Sequence, residues 1–153
     1  MKTLTAFALM VRKHLPVLQL AEHQVHVFME SGQVIKGGGK LSEYGYHLAD
    51  FRYRVVLQID QMPAVNGGVL LAALETFLAG LDSEESLSPL QLDITAVSDR
   101  LIDVDASVQV SDAIYIQPDD KGRIHSPNGR FDFKHDPFSY AENLDSVLVD
   151  AKD

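Results

Sequence analysis

The chain has 153 residues, 46% of them hydrophobic and 23% charged, with a formal net charge of −9. That length fits one domain with a core large enough to need no staples, and the absence of cysteine excludes a disulfide framework, a thiolate metal site and a cysteine nucleophile. The acidic balance argues against a general nucleic-acid binder, and the lack of thiols suits a reducing compartment.

At the N-terminus, Met1–Lys2 and the apolar stretch from Leu4 to Val11 have the outline of a signal peptide. Arg12, Lys13 and His14 follow at once, and no small-residue cleavage site is present, so the segment reads as an amphipathic helix. Leu4, Ala8, Val11, Leu15 and Leu18 recur at helical spacing. The spacing predicts a helix over 2–15, ended or kinked by Pro16. A short extended stretch, Val25 to Met29, comes next. Gly32 to Gly39, with three consecutive glycines, reads as a flexible loop.

From Tyr44 to Asp60 the pattern is strand. Phe51, Tyr53, Val55, Leu57 and Ile59 alternate with Arg52, Arg54, Gln58 and Asp60, as in a half-buried strand. Tyr44, Tyr46 and Leu48 have the opposite parity, which predicts a bulge or break near Ala49–Asp50. Pro63 marks a turn. Asn66 is an expected N-cap, because its side-chain oxygen suits a free helical N–H. The second helix runs from there to about Gly80, with Leu70, Leu74, Phe77, Leu78 and Leu81 as its core face. Val69 to Leu81 is the most apolar stretch, but it is too short for a bilayer core and contains Glu75, so no membrane partner is expected.

Asp82 to Pro89 reads as an exposed loop. Leu90, Leu92 and Ile94, then Ile102, Val104, Ala106, Val108 and Val110, alternate with polar residues. They predict an antiparallel hairpin with one wet face. Ala113 to Ile116 is a further apolar piece. Beyond Gln117 the periodicity fades, and Val147 to Val149 is too short to support its own core. The expected organisation is one α+β domain over 1–118, with two helices on one face of a mostly antiparallel sheet. An irregular C-terminal arm over 119–153 completes it.

Charge is unevenly distributed. Residues 1–54 carry seven Lys/Arg and four Asp/Glu, and residues 55–153 carry six and eighteen. Such polarity suits head-to-tail contact between identical subunits, although acidic loops also serve solubility alone.

No constellation has the spacing of a reaction centre. His23 and His26 form H-x-x-H, but an extended segment puts them on opposite faces, and no H-E-x-x-H is present. Gly37-Gly38-Gly39-Lys40 fails the phosphate-loop template, since Leu41 stands where Ser or Thr is required and Val34 where a glycine is. Asp103 and Asp105 share the polar face of one strand, and Asp93 is expected across the hairpin from them. Paired carboxylates can do acid–base work or bind a cation, yet simple alternation explains them as a solvated sheet face. No G-x-S-x-G elbow occurs. Tyr44, Tyr46, Phe51 and Tyr53 with Arg52 and Arg54 suit protein contact better than nucleotide stacking. The candidate contact residues are therefore Arg52, Arg54, Gly37, Gly38, Gly39 and Lys40, with no catalytic, cofactor-binding or metal site.

The order of elements resembles the tail completion protein R family of P2-like contractile-tailed bacteriophages. The resemblance runs over roughly residues 1–118. It lies in Phe28-Met29-Glu30-Ser31-Gly32, in Tyr53-Arg54-Val55-Val56-Leu57-Gln58-Ile59-Asp60, in Val69-Leu70-Leu71-Ala72-Ala73-Leu74-Glu75-Thr76-Phe77-Leu78, and in the hairpin from Leu92-Asp93-Ile94 to Asp103-Val104-Asp105-Ala106-Ser107-Val108-Gln109-Val110. It implies a structural protein without cofactor or catalytic residues, made in the host cytoplasm and built into the virion tail. It further implies a ring, expected as a hexamer, on the tail tube at the head-proximal end, where the tail joins the filled head through neck proteins. Two alternatives stand beside it: an adaptor of a related contractile injection machine, and a small metal-dependent hydrolase using Asp93, Asp103 and Asp105.

Overall fold

A computed structural model describes residues 1–138; the last part of the expected arm, 139–153 with Val147 to Val149, lies outside the described residues. The elements in chain order are helix α1 (Lys2–Leu18), strands β1 (Val25–Lys36), β2 (Leu41–Ser42) and β3 (Gly45–Pro63), helix α2 (Gly67–Ala79), and strands β4 (Gln91–Ala96), β5 (Leu101–Pro118), β6 (Ile124–Ser126) and β7 (Gly129–Phe133). All the strands join one antiparallel sheet in the order β1-β3-β5-β7-β6, with β2 added to β3 and β4 to β5. This is the α+β class expected from the alternation of helical and strand periodicities.

The core lies between the helices and one face of the sheet. Leu4, Phe7, Ala8, Val11, Leu15 and Leu18 of α1 are buried, as their spacing requires. They meet Tyr53, Val55, Leu57 and Ile59 of β3 and Val104, Ala106, Val108 and Val110 of β5 in one cluster with Leu70 and Leu74 of α2. Phe7 and Phe77 meet edge to face, with ring centroids 5.5 Å apart, and join the two helices.

Pro16 does not end α1. The helix runs on to Leu18 with Pro16 inside it, and what the proline removes is the one ladder bond that its own N–H would give to the carbonyl four residues back. Gln19, in the left-handed conformation at φ 58°, ends it instead. Gln19 N–H donates to Pro16 O and Leu20 N–H to Leu15 O, and both Leu15 and Leu20 are buried. These two bonds form a Schellman closure. Asn66 also differs from expectation. It stands before α2 but makes no side-chain cap there. Its amide donates to Leu18 O at 2.8 Å and to Gln19 Oε1 at 3.2 Å, so it serves the exposed carbonyl end of α1 and ties the end of one helix to the start of the other.

The glycine-bearing segment is mostly strand. β1 continues through Gly32 to Lys36, with a register shift between Glu30 and Gln33 where Ser31 has φ 59°. A Cβ on Gly32 would stand 2.9 Å from the Phe51 ring, so the bulge needs a residue without one. β3 carries the expected bulge between His47 and Ala49, and a second between Ile59 and Met62. β5 is the long central strand and takes in Ala113 to Ile116. One side of β5 pairs with β3; the other meets β4, then Ser86, then β7. The segment from 119 therefore begins as a hairpin that continues the sheet, since β7 pairs with Ile116–Pro118.

Candidate docking surface

Both helices cover one side of the sheet, so the opposite side is the first candidate for contact. β3 turns Arg52, Arg54, Val56 and Gln58 to it, because side chains alternate along a strand. Directly opposite residues on neighbouring strands share a face, which maps this side row by row. At one end Asp93, Asp105, Gln58 and His26 line up across β4, β5, β3 and β1. The next charged row holds Gln109, Arg54 and Glu30, with Arg54 Nη1 3.6 Å from Glu30 Oε2. Beyond it Arg52 stands opposite Ser111.

Arg52 borders a depression of about 460 Å³, walled by His47, Asp50, Glu84, Glu85 and Tyr115. The wall forms because the segment after α2 crosses β5: Ser111 N–H donates to Glu85 O, and Leu87 N–H to Gln109 O. His47 Nε2 lies 2.7 Å from Asp50 Oδ1, and its ring packs on Tyr115. Arg52 and Arg54 thus share the open face as expected, but in separate surroundings, one among carboxylates and one paired with Glu30.

Gly37 to Lys40 is a hydrogen-bonded segment that links β1 to β2 alongside β3, where the sequence suggested a free loop. Gly37 N–H donates to Leu48 O and Gly39 N–H to His47 O, while Lys40 O accepts from His47 N–H. A Cβ on Gly37 would lie 2.4 Å from His47 O, whereas Gly38 faces open space and Gly39 has φ 67°. The segment carries the chain on to the tip of a long hairpin, the turn at Glu43–Tyr44 between β2 and β3. Around it Val34, Leu41, Tyr44, Tyr46 and Leu48 are all exposed, an apolar concentration that single scattered residues would not make. Lys134 reaches this tip, donating to Glu43 O and lying over the Tyr44 ring.

The carboxylates of the acidic strand face have separate roles in the fold. Asp103 Oδ1 accepts from Gln61 N–H at 2.9 Å, satisfying the second β3 bulge. Asp93 and Asp105 are exposed, directly opposed partners. His23 belongs to the turn before β1 and His26 to β1 itself. Among the described residues, no three Asp, Glu or His side chains converge to hold an ion, and no helix is long and apolar enough to cross a membrane.

Sequence reasoning missed one buried polar cluster. Asp112 accepts from Tyr53 Oη at 2.6 Å, from Thr3 Oγ1 at 2.5 Å and from Thr3 N–H at 3.4 Å, and Tyr53 Oη accepts from Leu4 N–H at 3.0 Å. Tyr53 and Asp112 are 0% and 7% exposed. Side chains of the sheet therefore satisfy the first N–H groups of α1, which has no cap of its own. The carboxylate also stands at the positive end of the helix dipole. Burial, reinforced by the Asp112 carboxylate, pushes the Tyr53 hydroxyl well above its ordinary pKa. The signal was present: Asp112 breaks the apolar parity that runs from Ile102 to Val110.

Neither a search of curated proteins nor one of solved structures gives a match. The family model for P2 phage tail completion protein R (GpR) matches residues 1–132, which takes in both helices and all but the last residue of β7. The chain therefore belongs to the P2 phage tail completion protein R family and is a structural component of a phage tail.

Proposed function

We propose that this chain completes the head-proximal end of the tail, forming a ring on the tail tube that lets the tail join a filled head. The observation that carries this reading is the family match over residues 1–132. The surface supports it: an apolar hairpin tip and an arginine-bearing sheet face suit protein contact. The direct partners are the tail tube protein and the neck proteins, the ring is a hexamer, and the protein works without catalysis. Assembly takes place in the host cytoplasm before the ring becomes part of the virion. Arg52, Arg54 and the Gly37–Lys40 segment belong to the contact surface, with residues 1–118 as the body and 119–153 as an extension of it.

Deleting the gene from a phage that carries it tests the reading. Electron microscopy of lysates should show filled heads and separate, unjoined tails, and the gene supplied in trans should restore infectious particles. A normal yield of joined, infectious particles from the deletion would refute it.

A further inference from the structure

α2 carries more apolar surface than its place in the fold uses. From Gly67 to Ala79 its one charged residue is Glu75, yet only Leu70 and Leu74 are buried. A helix that is apolar all round belongs inside a protein. Here Val69 is 41% exposed and Leu71 40%, and Ala72, Thr76 and Ala79 are exposed as well. Between α2 and α1 this surface sinks into a depression of about 450 Å³. Met10 and His14 of α1 wall one side of it. Val69, Ala72, Ala73 and Thr76 of α2 wall the other, with Phe77, which also meets Phe7.

The charge around the depression is positive on the α1 side. α1 has Lys2, Arg12 and Lys13 and no carboxylate. Lys13 is exposed, and it neighbours Met10 on the helix surface because residues three apart share a face. Arg12 lies on the other flank with Glu22 and His23. Glu75 is not among the α2 residues that line the depression. Past the end of α2 comes the exposed Asp82, while Glu84 and Glu85 pass to the depression beside Arg52 on the open face of the sheet. A matching cover for the α1–α2 depression is therefore apolar and acidic.

Residues 139–153 have that composition. They hold Tyr140, Leu144, Val147, Leu148 and Val149, with Glu142, Asp145, Asp150 and Asp153 against Lys152 alone. The chain also arrives at the right place. The Met1 amino group donates to Pro137 O, and Phe138 packs on Phe51 with ring centroids 5.6 Å apart, so residue 138 stands beside the start of α1. From there Met10 is about 14 Å along the helix at about 1.5 Å per residue, and the chain from 138 to 144 spans up to about 20 Å. We infer that segment 144–149 of the same chain lies in the depression between α1 and α2, bringing Asp145 and Asp150 near Lys13. The helix layer of a second copy is a poorer match, since it would bring Lys2 and Lys13 to a surface that is already positive. The contact covers apolar surface that would otherwise promote unspecific association, and it does not depend on the proposed ring.

The cysteine-free chain makes the test direct. Ala72→Cys and Val147→Cys are placed together in the full-length chain, which is oxidised at low concentration. A 72–147 disulfide, identified by peptide mass in a product of monomer size, should form roughly tenfold faster or more than the 54–147 link of a control with Arg54→Cys on the opposite face of the sheet. Adding Leu144→Asp with Leu148→Asp should bring the two rates together. Lys13→Glu, at an exposed position, should slow the 72–147 link at low salt, with the difference shrinking as salt is added. Equal rates at 72 and 54 without the Asp substitutions overturn the inference, as does a fast 72–147 link that survives Leu144→Asp with Leu148→Asp. A 72–147 link that joins two chains, recognised by its doubled mass, puts another copy's segment in the depression and overturns the assignment to the same chain.

Discussion

Replacing Tyr53 by Phe removes one oxygen from the buried cluster beneath the start of α1. The ring keeps its packing, including its stack on Phe51 at 5.2 Å, so the effect isolates the hydroxyl. Leu4 N–H, which donates to Tyr53 Oη at 3.0 Å, loses its partner, and Asp112 Oδ2 loses its nearest donor, at 2.6 Å, while keeping Thr3 N–H at 3.4 Å. A buried polar group left unsatisfied costs about 1–3 kcal/mol. Thr3 still holds Asp112 through Oγ1, so the carboxylate keeps part of its compensation. The net loss is about 2–4 kcal/mol, or roughly 4–16 °C in Tm at about 2–4 °C per kcal/mol for a chain of this size. Urea unfolding followed by circular dichroism should show a lower midpoint with an unchanged slope. In a cycle with Asp112→Val, the double variant should be less destabilised than the sum of the singles, because both deletions break the same bond. The pH dependence has a definite sign. A hydroxyl with a raised folded pKa contributes fully below its unfolded value of 10.0. Above that value the unfolded chain releases the proton and the folded chain does not, so stability falls as pH rises. Wild-type protein should show this extra alkaline loss and the Phe variant should lack it. A cost below about 0.5 kcal/mol, the range of ordinary surface substitutions, together with additive singles, would refute the cluster's role.

Gly37→Ala should destabilise the β1–β2 link by about 1–3 kcal/mol, the usual cost of forcing atoms into occupied space, because the new Cβ meets His47 O; Gly38→Ala, facing open space, should stay within about 0.5 kcal/mol, and thermal melts of the pair read the difference. Asn66→Ala should cost about 1–3 kcal/mol in the same assay, since Leu18 O at the end of α1 loses the amide that donates to it. Asp105→Asn should stabilise by about 0.2–1 kcal/mol at low ionic strength by relieving the directly opposed Asp93, with the gain shrinking in salt; a loss of stability would show that the two carboxylates share a favourable partner.

The linear pattern carried the elements of this fold because each is amphipathic with its own period. Leu4 to Leu18 at helical spacing and Phe51 to Ile59 or Val104 to Val110 at period two expose the buried side of each element without reference to any neighbour. The phase slip at Ala49–Asp50 was visible for the same reason, since a bulge changes parity on one strand alone. Pairings that join distant residues were not legible. Asn66 has the chemistry of an N-cap, and only the arrival of Leu18 beside it, 48 positions away in sequence, turns its amide toward the other helix. Gly32 to Lys36 read as loop because glycine lowers local strand preference, yet the Phe51 ring and the β3 backbone supply what the local sequence lacks. The residues after 118 read as irregular because β6 and β7 are three and five residues long, too short to show a period, and they become strands by pairing with the end of β5.

The surface divides in the same way. The sequence by itself determined that Arg52 and Arg54 share a strand face, that charge is skewed along the chain, and that no reaction-centre spacing is present; these follow from period, count and order. Only the tertiary structure decided that the helices stop short of the sheet's end, that Gly37 to Lys40 is a bonded segment linking β1 to β2, and that exposed apolar residues gather around the hairpin tip. Helix length sets how much of a sheet is covered, and strand register sets which side chains meet. Where α1 sits along the sheet follows from its start at Tyr53 and Asp112, a contact between residues up to 109 positions apart.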